Sequence, residues 1–248
     1  MFQINIEKRE VLGIPFLFIQ PTKKKIQGTI LHYYGWNSEM NNSIPFCSRI
    51  AEAGYQIIVP ELPNHGARIK KDNNNAELIC QWNTIFESID ESLELINLIV
   101  EYPTVIKENF YIQGYSMGGY IASVLFTKFP FIKGLIAVNS CLAWQKNEEL
   151  LAKFSTRTVL KENQKLLNLI SLNDPINLIS KMVPRSILIF HGQSDFIIPV
   201  YSQRYFYKTV LDDYSIHSKQ ITYIESPNSG HQINLDITDR IIEWLQSN

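Results

Sequence analysis

Phe110-Tyr111-Ile112-Gln113-Gly114-Tyr115-Ser116-Met117-Gly118-Gly119-Tyr120-Ile121-Ala122-Ser123-Val124-Leu125-Phe126 is the stretch on which the fold turns. An apolar run of strand-forming residues passes through closely spaced glycines into a second apolar run, which reads as strand, sharp turn and helix. A serine on such a turn is pushed outward at the tip of a sheet. Glycines two before and two after it leave room for strand and helix to approach closely. Small-residue turns also occur without chemistry, so the serine becomes a candidate only if the chain supplies a base, an acid and oxyanion donors.

Outward from this stretch, strand and helix patterns alternate. Phe2 to Glu7 and Val11 to Ile19 read as an opening antiparallel pair, and Lys23-Lys24-Lys25 as a solvated turn. Thr29 to Tyr34 suits a strand buried on both faces, ended by the loop Gly35-Trp36-Asn37-Ser38. Phe46 to Ala53 is a short helix closed by Gly54, Tyr55 to Pro60 a strand, and Glu61 to Arg68 its following loop. Lys70 to Asn75 is polar and reads as mobile. Leu78, Trp82, Ile85, Phe86, Ile89, Leu93, Ile96 and Val100 recur every three or four residues, which predicts one buried face of a long helix ended by Pro103.

Past the central stretch, Gly134 to Val138, Ser186 to Phe190 and Gln220 to Ile224 read as strands. Tyr201 to Leu211 reads as a helix, and Ile233, Ile237, Ile241 and Leu245 define a closing one. The charged, helix-prone segment between Leu142 and Pro184 is the place for an inserted cap. With no linker or repeat, the chain is expected to form a single domain over 1–248 with a helical cap around 142–184. The architecture expected is a three-layer α/β/α sandwich, with a mostly parallel sheet of about eight strands covered by helices on both faces.

Of the 248 residues, 45% are hydrophobic and 19% charged, and the net charge is -1, so no basic excess invites nucleic acid or an anionic membrane. The amino terminus lacks the apolar core of a signal peptide, and no uninterrupted apolar run could span a bilayer, so a cytoplasmic location is expected. Cys47, Cys80 and Cys141 are widely spaced and read as reduced and structural. The five histidines have no zinc-motif spacing.

In an open α/β sheet, ligands sit beyond the carboxyl ends of the strands. After Phe190 comes His191-Gly192-Gln193-Ser194-Asp195, continuing to Pro199, and after the last strand comes Ser229-Gly230-His231. The order Ser116, Asp195, His231 and the three loop contexts resemble the α/β-hydrolase fold family over nearly the whole chain, with Gly114 to Gly118 as the nucleophile elbow. Within the family, the loops look most like compact cytoplasmic esterases and the dienelactone-hydrolase or prolyl-oligopeptidase-like branch.

The resemblance implies a serine hydrolase. Ser116 would be the nucleophile, His231 the general base and then acid, and Asp195 the group that orients the imidazole. Some relatives carry the acid after the preceding strand, but Asn139-Ser140-Cys141 offers none there, and Asp174 and Asp212-Asp213 read as turn or helix-end residues. The amides of Met117 and Trp36 would form the oxyanion hole. Tyr34 stands where relatives usually have histidine. Tyr115, Trp144, Phe196 and Ile197 are candidates for an apolar acyl pocket. His65, His32 and His191 read as structural, and His217 as exposed.

The expected substrate is a small-molecule carboxylic ester with a small or medium acyl group, and no cofactor is implied. Thioesters and peptides share the same acyl chemistry and stand as alternatives. A non-catalytic ligand- or partner-binding protein of this fold normally lacks a triad residue, and here all three are present.

Overall fold

The computed structural model describes residues 4–69, 77–154, 163–211 and 220–248. Phe2, Lys70 to Asn75, Leu160, Asp212-Asp213 and His217 lie outside them. Eight strands form one sheet: β1 (Ile4–Val11), β2 (Ile14–Pro21), β3 (Gly28–Tyr33), β4 (Tyr55–Pro60), β5 (Phe110–Tyr115), β6 (Gly134–Val138), β7 (Ser186–Gly192) and β8 (Ile221–Ser226). Their spatial order is β1-β2-β4-β3-β5-β6-β7-β8. β1 and β2 are an antiparallel hairpin, β2 pairs antiparallel with β4, and all remaining pairings are parallel.

β3, β4 and β6 are buried at every residue, as apolar runs without alternation require when helices cover both faces. On one face α1 (Ile44–Glu52) packs against the closing helix α8 (Leu235–Ser247). On the other lie α2 (Glu77–Ile99), α3 (Met117–Lys128) and α7 (Val200–Leu211), linked through α6 (Pro175–Ile179). α3 is buried on all sides from Met117 to Phe126, which marks it as the central helix. Between β6 and α6 the chain adds α4 (Trp144–Phe154) and α5 (Gln164–Asn173). Buried Asp174 accepts from the amides of Trp144 and Gln145 at 2.9 Å each, so it caps α4 from a distance.

Two helices differ from the sequence pattern. α2 turns Ser88, Ser92 and Leu95 inward and leaves Leu93 exposed. The Tyr33 hydroxyl donates to Ser92 Oγ at 2.7 Å, so small hydroxyl side chains let α2 lie close to the sheet. α8 starts after Ile233, because the Asn234 side chain accepts from the Ile237 amide at 3.0 Å and so sets the first turn. Gly54 does close α1, with φ 111°. Lys23, Lys24 and Lys25 are exposed.

Register fixes where chemistry can collect. Leu31 pairs with Ile58, Tyr33 with Gly114, Tyr115 with Val138, Val138 with Phe190, and Gly192 with Ser226, so the carboxyl ends of β3, β4, β5, β6, β7 and β8 form one edge. β3 connects to β4 on one side and has β5 on the other, which makes the gap above β3 and β5 the topological switch point. Among the described residues, six non-glycines have positive φ. Five of them, Asn37, Asn64, Ser116, Asn139 and Asn228, follow carboxyl ends on this edge. Asparagine tolerates that conformation and serine does so less readily, so backbone strain is concentrated here.

Candidate active site

β5 carries Tyr115 to the edge and α3 begins at Met117, leaving Ser116 alone on the turn with φ 53° and ψ -124°. Its amide is held by the Val138 carbonyl and its carbonyl by the Gly119 amide, both at 3.0 Å. Ser116 occupies the N-cap position of α3 without making a side-chain cap bond, so Oγ is left to groups outside the helix. A Cβ on Gly114 would lie 2.2 Å from the Gly118 carbonyl oxygen, and one on Gly118 would lie 2.0 Å from that of Tyr33. Both contacts are with backbone that cannot swing away. Gly118→Ala is therefore expected to destabilise the fold by about 3 kcal/mol, read as a lower Tm, and an unchanged Tm would contradict this packing.

His231 Nε2 lies 2.8 Å from Ser116 Oγ, and His231 Nδ1 lies 2.7 Å from Asp195 Oδ2. The loops carrying Asp195 and His231 are laced together by the backbone. Gln193 and Ser194 donate to Ser226 and Ser229 at 3.0 and 2.9 Å. Asp195 is 5% exposed, and its Oδ1 accepts from the amides of Ile197 and Ile198 at 2.9 Å each. Its Oδ2 also lies 3.4 Å from His191 Nε2. Burial alone would raise this carboxyl; hydrogen bonds from His191 and His231, with the Ile198 amide, outweigh it and hold the group well below the usual carboxylate range.

Ionised Asp195 therefore stabilises the folded chain above its unfolded value near 3.8, and that contribution is lost as pH falls through the lower folded value. The Asp195→Asn variant should lose stability less steeply below about pH 4 than the wild type does. Parallel acid limbs in thermal melts of the two proteins would show that the carboxylate carries no such linkage.

Asn139, fully buried with φ 45°, occupies the position where the sequence offered no carboxylate. Its Oδ1 accepts from the Gly192 amide at 2.9 Å, and its Nδ2 donates to the carbonyls of Gly230 and Gln232 at 3.3 and 3.0 Å. These carbonyls flank His231, so one side-chain amide fixes the imidazole loop to the end of β7. From the opposite side the Tyr115 hydroxyl donates to the His231 carbonyl at 2.9 Å, and the two rings lie 5.3 Å apart. Neither contact was visible in the motif pattern; the available signal was an asparagine ending a buried strand.

The loop after β3 runs against the nucleophile: a Cβ on Gly35 would lie 3.1 Å from Ser116 Cβ. Tyr34, in place of the usual histidine, donates its hydroxyl to the buried Glu61 carboxylate and accepts from the Leu62 amide at 2.9 Å. Burial and then Glu61 raise the Tyr34 hydroxyl far above the usual phenol range, so it remains a donor. Glu61 also accepts from the Met40 amide at 3.1 Å. Trp36 meets the edge of His65 at 5.0 Å, and its Nε1 donates to Glu77 at 2.9 Å. His65 itself lies 2.8 Å from the Pro63 carbonyl, a structural role.

A cleft of about 70 Å³ opens beside Ser116, lined by Trp82, Ile85, Tyr120, Ile197 and Ile198 among others. Of the four side chains expected to form an acyl pocket, only Ile197 lines it. Trp144 is fully buried behind the wall, stacked on Tyr120 at 5.6 Å, because α4 turns it into the core. Phe196 is 90% exposed, because Asp195 takes up the following amides and turns that side chain to solvent. Tyr115 faces a separate cavity of about 360 Å³ between α1 and the start of α8, which Ser116 does not line.

Other residues follow their expected roles in part. His191 is buried and 2.8 Å from the Ile198 carbonyl, yet it also leans on Asp195. His32 is buried beside Phe46, with Nδ1 lacking a partner among the described residues, and burial lowers its pKa to about 3. Cys47, Cys80 and Cys141 are all buried, and the described residues contain no cluster of potential metal ligands.

Strand order, switch point and loop placement together define an α/β-hydrolase fold. The chain belongs to the dienelactone hydrolase family, whose model matches residues 16–226. YitV of Bacillus subtilis (strain 168) is 24% identical over 252 residues, covering 98% of this chain and 99% of its own. Esterase YjfP of Escherichia coli (strain K12) is 22% identical over 249 residues, covering 98% of each. The crystal structure of TT1662 from Thermus thermophilus superposes with a TM-score of 0.82 at 15% identity, covering 98% of this chain and 97% of that one, a likeness of fold.

Proposed function

We propose that this chain is a serine esterase that cleaves carboxylic esters of small or medium acyl groups through an acyl-enzyme on Ser116. The observation that carries this reading is the unbroken hydrogen-bonded line from Asp195 through His231 to Ser116 Oγ, ending on a strained turn beside the first amide of α3. Membership of a hydrolase family and the likeness to esterase YjfP support the same reaction class.

With Nδ1-H donating to Asp195, neutral His231 presents Nε2 as an acceptor. It takes the Ser116 proton as Oγ bonds to the ester carbonyl carbon. The carbonyl π electrons move onto oxygen, where the Met117 amide, unpaired within the helix as its first residue, and the Trp36 amide receive the charge. Collapse breaks the bond to the alcohol oxygen, which leaves with the proton from His231. Water then repeats the sequence, giving its proton to His231, and Ser116 recovers that proton as the acid departs. The scheme calls for no cofactor.

Residues 142–184 serve in this reading as a cap on a single domain, since Asn147, Glu148 and Leu151 of α4 line the cleft beside Ser116. We read the substrate as a small molecule and the location as cytoplasmic; among the described residues, no helix is long and apolar enough to cross a membrane. A fluorophosphonate probe should add one phosphonyl group to Ser116, read by peptide mass. Folded protein that stays unlabelled would remove the nucleophile from this account.

Two positioning effects follow. Asp195→Asn should lower kcat by about 10⁴, because an amide can hold the imidazole in the wrong tautomer. Asn139→Ala should lower kcat/KM by about 10²-fold by letting the His231 loop drift. Equal turnover in wild type and Asn139→Ala would reduce that residue to packing alone.

A further inference from the structure

The cleft beside Ser116 is narrow and is not purely apolar. At roughly 30 Å³ for a water-sized group, its volume of about 70 Å³ corresponds to about two such groups. Trp82 and Tyr120 supply aromatic walls, while the polar residues Gln81, Asn147 and Glu148 line the same space. Asn147 is 1% exposed, and its Nδ2 donates to the Tyr120 hydroxyl at 3.1 Å. Its Oδ1 is buried and has no hydrogen-bond partner among the described residues. A buried acceptor with nothing to accept is costly, and such groups occur where a bound molecule supplies the donor.

We propose that this cleft selects short acyl groups bearing a hydroxyl, with Asn147 Oδ1 accepting from the hydroxyl of a two- or three-carbon hydroxyacyl ester. The inference rests on Ser116 being the acylated residue. A hydroxyl fits better than an ammonium because a charged group would lose its hydration against the aliphatic lining of Ile85, Ile197 and Ile198. Glu148 on the wall disfavours an acyl group that carries a second carboxylate. A site built around a substrate hydroxyl rejects the isostere lacking it far more strongly than an apolar slot rejects a methyl group.

The test compares kcat/KM for matched pairs, phenyl glycolate against phenyl propionate and phenyl 3-hydroxypropanoate against phenyl butyrate, each divided by its rate of alkaline hydrolysis. After that correction the hydroxyl partner should be favoured by about tenfold or more in at least one pair. Asn147→Leu should bring the ratio to about one, and Asn147→Ser, which keeps a smaller acceptor, should retain part of it. Wild-type protein that prefers the alkyl partner in both pairs overturns the inference without any variant having to fold. A preference for phenyl glycinate over phenyl glycolate overturns it in favour of an ammonium site. Hydrolysis of phenyl acetate and fluorophosphonate labelling report separately on Ser116: if both fail, the underlying reading falls, and if both succeed without a hydroxyl preference, this inference alone falls.

Discussion

Ser116→Ala is expected to lower kcat for p-nitrophenyl acetate by about 10⁶-fold while leaving the fold intact. The substitution removes one oxygen from a residue that makes no cap bond with its side chain, and both backbone hydrogen bonds that hold the turn are kept. Alanine at a positive φ is somewhat more strained than serine, so a small fall in Tm should accompany the loss of turnover. The oxyanion amides and the cleft remain, and together they should leave about 10³-fold acceleration over water. Retained turnover in this variant would mean that another group forms the bond to the acyl carbon.

His231→Ala should cost about as much as Ser116→Ala, because a serine hydroxyl without a base is a weak nucleophile. The loop should stay in place: the Tyr115 hydroxyl and the Asn139 amide hold backbone carbonyls of residues 230, 231 and 232, none of which is lost with the imidazole. Two features separate loss of the base from general damage. The double variant Ser116→Ala with His231→Ala should be no slower than either single variant, since each alone already disables the unit. Added imidazole should restore part of the turnover of His231→Ala and none of the double variant's. Additive losses, or rescue that is independent of Ser116, would dissociate the two residues.

The sheet was legible because its central strands are buried on both faces and so appear as unbroken apolar runs, as Thr29 to Tyr33 and Gly134 to Val138 show. The three loops around Ser116, Asp195 and His231 were legible because glycine spacing and chain order are local properties. What escaped depends on which way a side chain faces. Trp144 and Phe196 look alike as large apolar residues near strand ends, yet α4 buries one and the Asp195 turn exposes the other. In the sequence Asn139 reads only as a missing acid; its contacts with residues 192, 230 and 232 are long-range and leave no periodic trace. Leu93 fits the apolar rhythm of α2, but the bond from Tyr33 to Ser92 rotates the helix so that hydroxyl side chains face the sheet.

Intact-mass analysis of protein quenched in acid within milliseconds of mixing with p-nitrophenyl acetate tests the central claim most directly. Wild-type protein should gain the mass of one acetyl group, mapped to the peptide containing Ser116, and should lose it as product forms. An adduct on any other residue, or turnover without an acyl-enzyme when chemistry is sampled before the first cycle ends, would contradict the account.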